Sequence, residues 1–548
     1  MKDSVTPAVA PNSSDPEPRR PEARDRFPWH PEPELLDVVG EAASRPALEA
    51  LGREAWQVAL DYLYRHALAR AAGEPAGYAE LRRAFFGPSG MPAPAPAEPM
   101  PHDTVLEEFA LRLAPHQLNS WHPRALSYFT PPPLMVSIMG ELLAQVTNQG
   151  IDVWHAGPSG AFVEEEVGRW LCDLVGFGPD SFAVLTSGGV MANYMALAIA
   201  RDVHLGRLLG HDVARPPRGR ELENVRVYAS DQAHFSIGRA LDELGFPAGT
   251  LRVVPSDDRF RLQAGPVGSA ILEDRAAGLV PLAIAAVAGS TNTGSIDAVD
   301  DLADLAAREG IWLHVDAAYG GAARLSARQA WRVPGLERAD SLTIDPHKWF
   351  FQAYDVGGLL VRRRADLERT FHRSPEYYRG GRAVAASQEA EGAAGEGVAG
   401  EGATGAAGAP GEAGTEGEPE PSDLLNYYQL SFEGTRRWRA LKLWLSWKHL
   451  GSEGLGHLVE QTLDVAGYLV RQIARSDDFE ALPDEPELSV VCFRHLPGGR
   501  TGAGRLAPAE LDAHQDALAH ALEASGDGWL STTRLRGATY LRAGIVNY

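Results

Sequence analysis

The stretch Ser341-Leu-Thr-Ile-Asp-Pro-His-Lys-Trp-Phe350 is a short β-like run that ends on a His-Lys pair followed by two aromatic residues. It places Lys348 just past a predicted strand end, among apolar neighbours. Desolvation and the imidazole of His347 both lower the pKa of an amine, and only a neutral amine attacks a carbonyl. The stretch predicts a nucleophilic lysine at the edge of a sheet. A His-Lys dipeptide taken alone more often contains an ordinary solvated surface lysine.

A second predicted strand, Ile311-Trp-Leu-His-Val-Asp316-Ala-Ala-Tyr319, lies upstream of the first and ends on a carboxylate. Open α/β sheets bind their ligands at the carboxyl ends of the strands. Pyridoxal phosphate needs a lysine that bonds its aldehyde and a carboxylate that keeps its ring nitrogen protonated. Lys348 and Asp316 together predict this cofactor.

Between about Leu142 and Arg363, short apolar runs alternate with amphipathic helical segments, which predicts a mostly parallel sheet covered by helices. The clearest runs are Ala183–Leu185, Val225–Tyr228, Ala283–Val287, Trp312–Val315 and Gly357–Val361. The predicted regions are a disordered tail at 1–27, a helical N-terminal region at 28–141, a large domain at 142–382, a low-complexity insert at 383–421 and a small α+β C-terminal domain at 422–548.

The composition of the 548 residues, 44% hydrophobic and 23% charged, is typical of a globular enzyme. A net charge of −22 argues against a nucleic-acid partner, although eight glutamates between 389 and 420 carry part of it. No apolar run is long enough for a membrane span, and the N-terminal residues lack a signal-peptide pattern. Cys172 and Cys492 have apolar neighbours and are predicted core residues. A cytoplasmic location is the resulting expectation.

Four further segments carry polar groups suited to such a site. The turn in Leu185–Asn193 offers backbone N–H groups to a phosphate, and Gly289–Gly294 offers hydroxyls. Ser230–Ser236 supplies an imidazole, His234, and Tyr427-Tyr428 supplies a phenol that can donate a proton. Taken singly, each has an ordinary structural explanation, as a plain turn, a capping histidine or a surface tyrosine.

In order and spacing, these motifs resemble the pyridoxal-phosphate-dependent group II amino-acid decarboxylases. The matching motifs are Thr186-Ser-Gly-Gly189, Ser230-Asp-Gln-Ala-His-Phe-Ser236, His314-Val-Asp-Ala-Ala-Tyr-Gly-Gly321 and Asp345-Pro-His-Lys-Trp349. The resemblance covers residues 30 to 548 apart from the insert. It implies a fold-type I α/β enzyme with a mostly parallel seven-stranded sheet, which decarboxylates an L-amino acid to an amine. It also implies a homodimer and favours an aromatic substrate.

The resemblance also assigns roles to residues of this chain. Lys348 would bond the cofactor aldehyde beside His347, and Asp316 would pair with the ring nitrogen. The remaining roles are ring contacts for Ala318, His234 and Thr291, phosphate contacts for Gly189 and Val190, substrate contacts for Tyr128 and Phe129, and proton donation for the loop tyrosine, Tyr427 or its neighbour Tyr428.

Three departures from the family pattern bear on these expectations. Val190 stands where a small hydroxyl residue is usual, Thr435 replaces a serine before paired arginines, and Asp152 falls where aromatic decarboxylases tend to be apolar. The alternatives are an aldehyde synthase or aminotransferase with the same cofactor, and a non-catalytic scaffold relative. A metal hydrolase built on His314 and Asp316 lacks a third ligand with suitable spacing.

Overall fold

The computed structural model describes residues 45–66, 72–73, 77–211, 215–373, 424–500 and 506–548. The predicted tail at 1–27 and the predicted insert at 383–421 lie outside these ranges. The chain divides into two compact units, one containing the residues up to 66 and 77–117, the other 67–76 and 118–548. The domain boundaries drawn from the sequence remain predictions.

The first unit is helical. Its α-helices are α1 (Arg45–Asp61), α2 (Tyr78–Phe86) and α3 (His102–Glu108). Arg45 and Glu49, one turn apart on α1, form an ion pair of 2.8 Å. Residues 91–101, which are rich in proline, form neither helix nor strand, because proline lacks the backbone N–H that both structures use.

A seven-stranded sheet forms the centre of the second unit. Its order is β1-β7-β6-β5-β4-β2-β3. Strand β7 is antiparallel to both of its neighbours, so the other six strands run parallel to one another. This confirms the predicted α/β class and the mostly parallel sheet. The strands are β1 (Phe182–Thr186), β2 (Val225–Ser230), β3 (Leu251–Val254), β4 (Val280–Val287), β5 (Trp312–Asp316), β6 (Ser341–Ile344) and β7 (Gly357–Val361).

Both faces of this sheet are buried except at the edge strand β3, which explains why most of its strand residues are apolar. Successive side chains of a strand point to opposite faces. In β1, accordingly, Leu185 belongs to one hydrophobic core and Val184 to the other. The helices of this unit are α4 (Met135–Thr147), α5 (Pro158–Val175), α6 (Gly189–Ile199), α7 (Gly206–Leu208), α8 (Ser236–Glu243), α9 (Ala264–Ala276), α10 (Val299–Glu309), α11 (Arg364–Phe371), α12 (Ala440–Arg475) and α13 (Pro508–Ser525).

The C-terminal region is a small α+β structure, as predicted. Its antiparallel sheet has the order β10-β11-β9-β8. The strands are β8 (Phe479–Ala481), β9 (Val490–His495), β10 (Ser531–Leu535) and β11 (Ala538–Gly544). Helix α12 is interrupted at Gly451, whose backbone angles (φ 67°, ψ 172°) are not helical. The glycine therefore divides α12 into two helical halves.

None of the helices in the described ranges combines the length and the apolar composition that a membrane crossing requires. The cytoplasmic location remains a prediction.

Strand β1 is tied to helix α5 by a buried ion pair. Arg436 and Glu164 have fully inaccessible side chains and lie 2.5 Å apart. The Arg436 guanidinium also donates to the Leu185 carbonyl oxygen at 2.6 Å, and the Leu185 N–H donates to Glu164 at 3.0 Å. The pair therefore holds the strand end that leads into the glycine turn at Gly188.

Replacing Glu164 by glutamine should destabilise the protein, because it leaves the Arg436 charge buried without a counter-charge. We expect Glu164→Gln to lower the free energy of unfolding by about 3–5 kcal/mol. Urea unfolding followed by fluorescence measures the change. Glu166→Gln is the matched control on the same helix, since its partly exposed pair with Lys448 should contribute little. Equal effects of the two variants would contradict the role of the buried pair.

Candidate active site

A cavity of about 330 Å³ lies at the carboxyl ends of the parallel strands. Here the strands of an open α/β sheet leave their end groups exposed to a ligand. The cavity is lined by Phe129, Ser187, Gly188, Gly189, Val190, Met191, Asn193, His234, Val287, Gly289, Thr291, Asp316, Ala318, Tyr319, Asp345, His347, Lys348 and Tyr354. Most of the site residues predicted from the sequence therefore meet in one place.

Lys348 enters this cavity from the turn that follows β6. Its Nζ lies 3.0 Å from Oδ2 of Asp345. Burial lowers the pKa of Lys348, but the carboxylates of Asp345 and Asp316 outweigh burial and raise this pKa above its usual value. The sequence-based expectation of a depressed amine pKa is therefore wrong for the protein without its ligand, because it left out a carboxylate three residues upstream.

Asp316 ends β5 and is almost completely buried. Its Oδ2 accepts a hydrogen bond from Asn193 Nδ2 at 2.8 Å, and its Oδ1 accepts one from the Ala318 N–H at 3.1 Å. Both oxygens of this buried side chain therefore accept hydrogen bonds. In the part of the chain that the structure describes, no three His, Cys, Asp or Glu side chains converge as a metal site.

Two histidines line the cavity, and burial is the main cause that lowers the pKa of each. His234 follows β2, and its Nδ1 is 2.8 Å from the Ser236 hydroxyl. His347 donates from Nδ1 to the Val356 carbonyl oxygen at 2.6 Å. The backbone contact holds His347 in place, whereas the hydroxyl contact orients His234.

Aromatic rings form another side of the cavity. Phe129 stacks on Tyr319 with ring centres 4.2 Å apart, and Tyr319 stacks on Trp349 at 4.7 Å. The Arg542 guanidinium lies over Phe129 at 4.7 Å and donates to the Thr291 carbonyl oxygen at 3.0 Å. These contacts hold Phe129 and Tyr319 in a packed row whose apolar edges line the cavity.

The turn between β1 and α6 has the geometry of an anion cradle. Among the described residues no side chain caps α6 at Gly188, so the first N–H groups of the helix lack partners. A Cβ on Gly357 would lie 2.5 Å from the Gly188 Cα, so only glycine allows β7 to pass the turn. A Cβ on Gly189 would lie 2.9 Å from Oδ2 of Asp345. Glycine keeps this edge of the cavity open.

Several residues singled out in the sequence do not line the cavity, among them Tyr128, Asp152, Tyr427 and Tyr428. Tyr128 is exposed and meets Trp529 edge-on, with ring centres 5.0 Å apart. Asp152 is half-buried, and its carbonyl oxygen accepts from the Tyr428 N–H at 3.0 Å.

Tyr427 is fully buried in a hydrophobic core, against the Arg436 guanidinium at 4.7 Å and Phe182 at 6.0 Å. Its hydroxyl lies 3.5 Å from the Ala161 carbonyl oxygen. The predicted role of Tyr427 as a proton donor does not fit this geometry, because the hydroxyl is enclosed away from the cavity. Tyr428, the alternative kept open in the sequence, is likewise absent from the cavity lining.

The structure adds cavity residues that the sequence reasoning left unassigned, among them Asn193, Asp345 and Tyr319. Each of these residues lies inside a motif that the sequence analysis named for another residue. The motif was therefore visible in the sequence, but the direction in which each of these side chains points was not. Arg542 had no local signal, because it reaches Thr291 and Phe129 from the C-terminal sheet.

The sequence profile described as the pyridoxal-dependent decarboxylase conserved domain matches residues 88–390 and 423–496. The aromatic-L-amino-acid decarboxylase of Bacillus atrophaeus is 31% identical over 426 residues, which is 78% of this chain and 77% of that protein. The L-2,4-diaminobutyrate decarboxylase of Acinetobacter baumannii is 27% identical over 433 residues, covering 78% and 76% of the two chains.

Solved structures share the fold. The crystal structure of Oryza sativa TDC with PLP and tryptamine superposes with a TM-score of 0.76 over 93% of this chain and 96% of that one. The two sequences are 23% identical.

The residues of the cavity fit pyridoxal phosphate. The unpaired N–H groups at the start of α6 suit its phosphate, and Lys348 can bond its aldehyde. The Asp316 carboxylate, which lines the cavity, offers an acceptor to a protonated ring nitrogen. Because Gly189 has no side chain, this edge of the cavity stays open to the cofactor.

Replacing Asp345 by asparagine removes a negative charge that stabilises the Lys348 ammonium. We expect Asp345→Asn to lower the pKa of Lys348, so that its amine captures an aldehyde faster at about pH 8, below the usual pKa of lysine. The measurement is the rate of forming a borohydride-reducible adduct with pyridoxal across a pH series, quantified on the Lys348 peptide. Asp242→Asn, at an exposed site on α8, is the control. An unchanged pH profile would assign the effect to Asp316 alone.

Proposed function

Because the chain belongs to the pyridoxal-dependent decarboxylase family and is a pyridoxal-phosphate-dependent amino-acid decarboxylase, we propose that it converts an aromatic L-amino acid into the corresponding amine and carbon dioxide. The observation that carries the proposal is the meeting of Lys348, Asp316 and the stacked rings of Phe129 and Tyr319 in one cavity. The reactive groups and the apolar ring edges then contact the same bound molecule.

Lys348 and Asp316 have complementary roles in this proposal. Lys348 holds the cofactor aldehyde and gives way to the substrate amine. Asp316, an acceptor already held by Asn193 and Ala318, keeps a proton on the ring nitrogen. When bound, pyridoxal phosphate supplies the electron sink that accepts the electrons left by carbon dioxide.

The other cavity residues bind and orient. We assign the phosphate to the N–H groups at Gly189 and Val190, and the two faces of the ring to His234 and Ala318. Val190 has no hydroxyl, so only its backbone takes part, while Thr291 and His347 bound the ring at its edges. Fixing the substrate in a reactive orientation is the main contribution of such contacts.

The returning proton needs a donor, since the Tyr427 hydroxyl is enclosed in the core. Among the described cavity residues, the Lys348 ammonium is the candidate. Its raised pKa favours the protonated form, and the exchange with the substrate amine frees its Nζ. We therefore assign to Lys348 the proton that the α-carbon receives.

An aromatic substrate is supported by Phe129 and Tyr319, which line the cavity. Their faces are covered by each other, by Arg542 and by Trp349, so their edges are what they offer a ring, in the edge-to-face arrangement that aromatic pairs favour. The relative from Bacillus atrophaeus supports the same choice. The relative from Acinetobacter baumannii points to a short basic substrate. The apolar surface of the cavity favours the aromatic class.

The purified protein should absorb as a protonated imine, and borohydride should trap the cofactor on Lys348. We expect carbon dioxide release from an aromatic amino acid at a higher kcat/KM than from 2,4-diaminobutyrate or histidine. Lys348→Ala should lose the trapped adduct. Asp316→Asn should lower kcat about 100-fold or more, the size typical of losing a preorganised electrostatic contact.

Asp301→Asn, at an exposed site on α10, is the control for the Asp316 variant. Preferred release from diaminobutyrate would overturn the substrate class. An aldehyde in place of the amine would mean the synthase alternative, and a protein that binds no cofactor would mean the scaffold alternative.

We further propose a homodimer in which α4 contributes to the interface. Leu142, Leu143 and Val146 on this helix and Phe162 on α5 are apolar and half or more exposed. Clustered exposed apolar side chains are typical of protein–protein interfaces.

Light scattering should give twice the mass of one chain. Val146→Glu should shift the mass toward the monomer at low concentration, because it places a charge in the interface. Leu272→Glu, at an equally exposed apolar site on α9, should leave the dimer intact. A monomeric wild-type protein would overturn the proposal.

A further inference from the structure

A continuous chain of buried hydrogen bonds runs behind the cavity, from His234 to the indole of Trp312. Its links join His234 to Ser236, Ser236 to Asn193, Asn193 to His314, His314 to Ser341 and Ser341 to Trp312, at donor–acceptor distances of 2.8, 2.8, 2.9, 3.0 and 3.0 Å. Apart from His234, every member is almost or completely inaccessible to solvent. Buried donors and acceptors must be matched, so the direction of each bond can be worked out.

Asn193 sets the direction at the centre of the chain. Its Nδ2 donates one hydrogen to the Asp316 carboxylate at 2.8 Å and the other to the Ser236 hydroxyl. Its Oδ1 accepts from the Thr343 hydroxyl at 2.6 Å and from His314. Turning the amide over would place its oxygen against the carboxylate, which has no hydrogen to donate. The orientation of Asn193 is therefore determined by Asp316.

The far end of the chain gives the same result independently. The Trp312 indole can only donate, so the Ser341 oxygen accepts from it. Among the described residues the other partner of this hydroxyl is His314 Nδ1, and a buried hydroxyl hydrogen needs an acceptor, so Ser341 donates to His314 Nδ1. His314 is completely buried, and burial lowers its pKa, so the ring is neutral. Its single N–H is then at Nε2, facing the Asn193 oxygen. The Trp312 indole, which can only donate, and the Asp316 carboxylate, which can only accept, therefore lead to the same assignment: Asn193 Oδ1 accepts from His314 Nε2.

Matching donors with acceptors also assigns the roles of the two ring nitrogens of His234. Because the Ser236 oxygen accepts from Asn193, its hydrogen donates to His234 Nδ1. The backbone N–H of Ser236 approaches the same nitrogen at 3.4 Å. Nδ1 is thus an acceptor, and a neutral ring carries its hydrogen on Nε2. Within the described residues Nε2 has no hydrogen-bond partner, and the ring lines the cavity.

We propose that Asn193 is a positioning residue that holds His234 in the Nε2–H tautomer, so that the cavity presents a hydrogen-bond donor to an anionic group of the bound molecule. The tautomer follows from the hydrogen bonds alone. The anionic group, the carboxylate of the amino-acid substrate, rests on the proposed function. His234 then helps to hold that carboxylate before it leaves and makes no such bond to the amine product.

The tautomer is tested by magic-angle-spinning NMR of the sedimented holoenzyme labelled with 15N-histidine. The His234 signals are assigned by their loss in His234→Gln, and they should report a neutral ring with hydrogen on Nε2. Asn193→Asp should move the hydrogen to Nδ1. An aspartate at position 193, whether charged or sharing a proton with Asp316, accepts the hydrogen of the Ser236 hydroxyl. The Ser236 oxygen is then only an acceptor toward His234, so the ring carries its hydrogen on Nδ1.

Two variants keep this test decisive. Thr343→Val removes a neighbour of the same amide without touching the path to His234, and should leave the tautomer unchanged. Ser236→Ala should give a mixture of tautomers even if Asn193→Asp does not fold. An Nδ1–H ring in the wild type, or the same shift in Thr343→Val as in Asn193→Asp, would overturn the inference.

The function of the donor is tested by kinetics. Ser236→Ala, which leaves the hydrogen bond from Asn193 to Asp316 in place, should raise the KM of the amino acid by up to about 10-fold, the effect of losing one hydrogen bond to a charged group, and should leave the inhibition constant of the product amine unchanged. Equal weakening of both ligands would overturn the carboxylate contact. Failure of the wild type to release carbon dioxide would refute the proposed function alone, since the NMR result does not depend on turnover.

Discussion

A carboxylate can remain buried at the centre of a sheet only where hydrogen bonds replace the water that it loses. Asp316 meets this condition through Asn193 and the backbone of Ala318. The hydrogen bonding continues beyond this shell, because the buried Oδ1 of Asn193 in turn accepts from Thr343 and His314. The polar residues inside this otherwise apolar region are arranged around one negative charge, and that charge is the group that a pyridine nitrogen would meet.

Much of the site could be predicted because it is encoded locally. Lys348, Asp316, His234 and Gly189 each follow a buried strand, and an apolar run with a polar end is visible in the sequence. The parallel arrangement of the strands then brings their ends together without further information. The fold could be predicted for the same reason: strands buried on both faces are apolar throughout, and the helices between them show amphipathic periodicity.

The remainder depends on contacts that no short segment records. The pKa of Lys348 is set by the direction of the Asp345 side chain, which the sequence does not give. Tyr427 was predicted from its place beside the insert, but the packing of α5 and β1 encloses its hydroxyl. Arg542 contacts two residues of the cavity wall, Phe129 and Thr291, from a sheet formed at the other end of the chain. Sequence patterns give the ends of elements, whereas tertiary packing decides which side chains turn inward.

The buried pair of Arg436 and Glu164 also constrains how this chain can change over time. Either residue alone leaves an unpaired charge in the core when its partner is replaced, whereas an apolar pair of similar volume can be tolerated. Changing the charged pair into an apolar pair one residue at a time passes through a sequence with one unpaired buried charge, which is unstable. The two positions are therefore expected to change together in descendants of this chain. An apolar pair would also leave the Leu185 N–H and carbonyl oxygen without the partners that these two side chains supply, which favours keeping the charged pair.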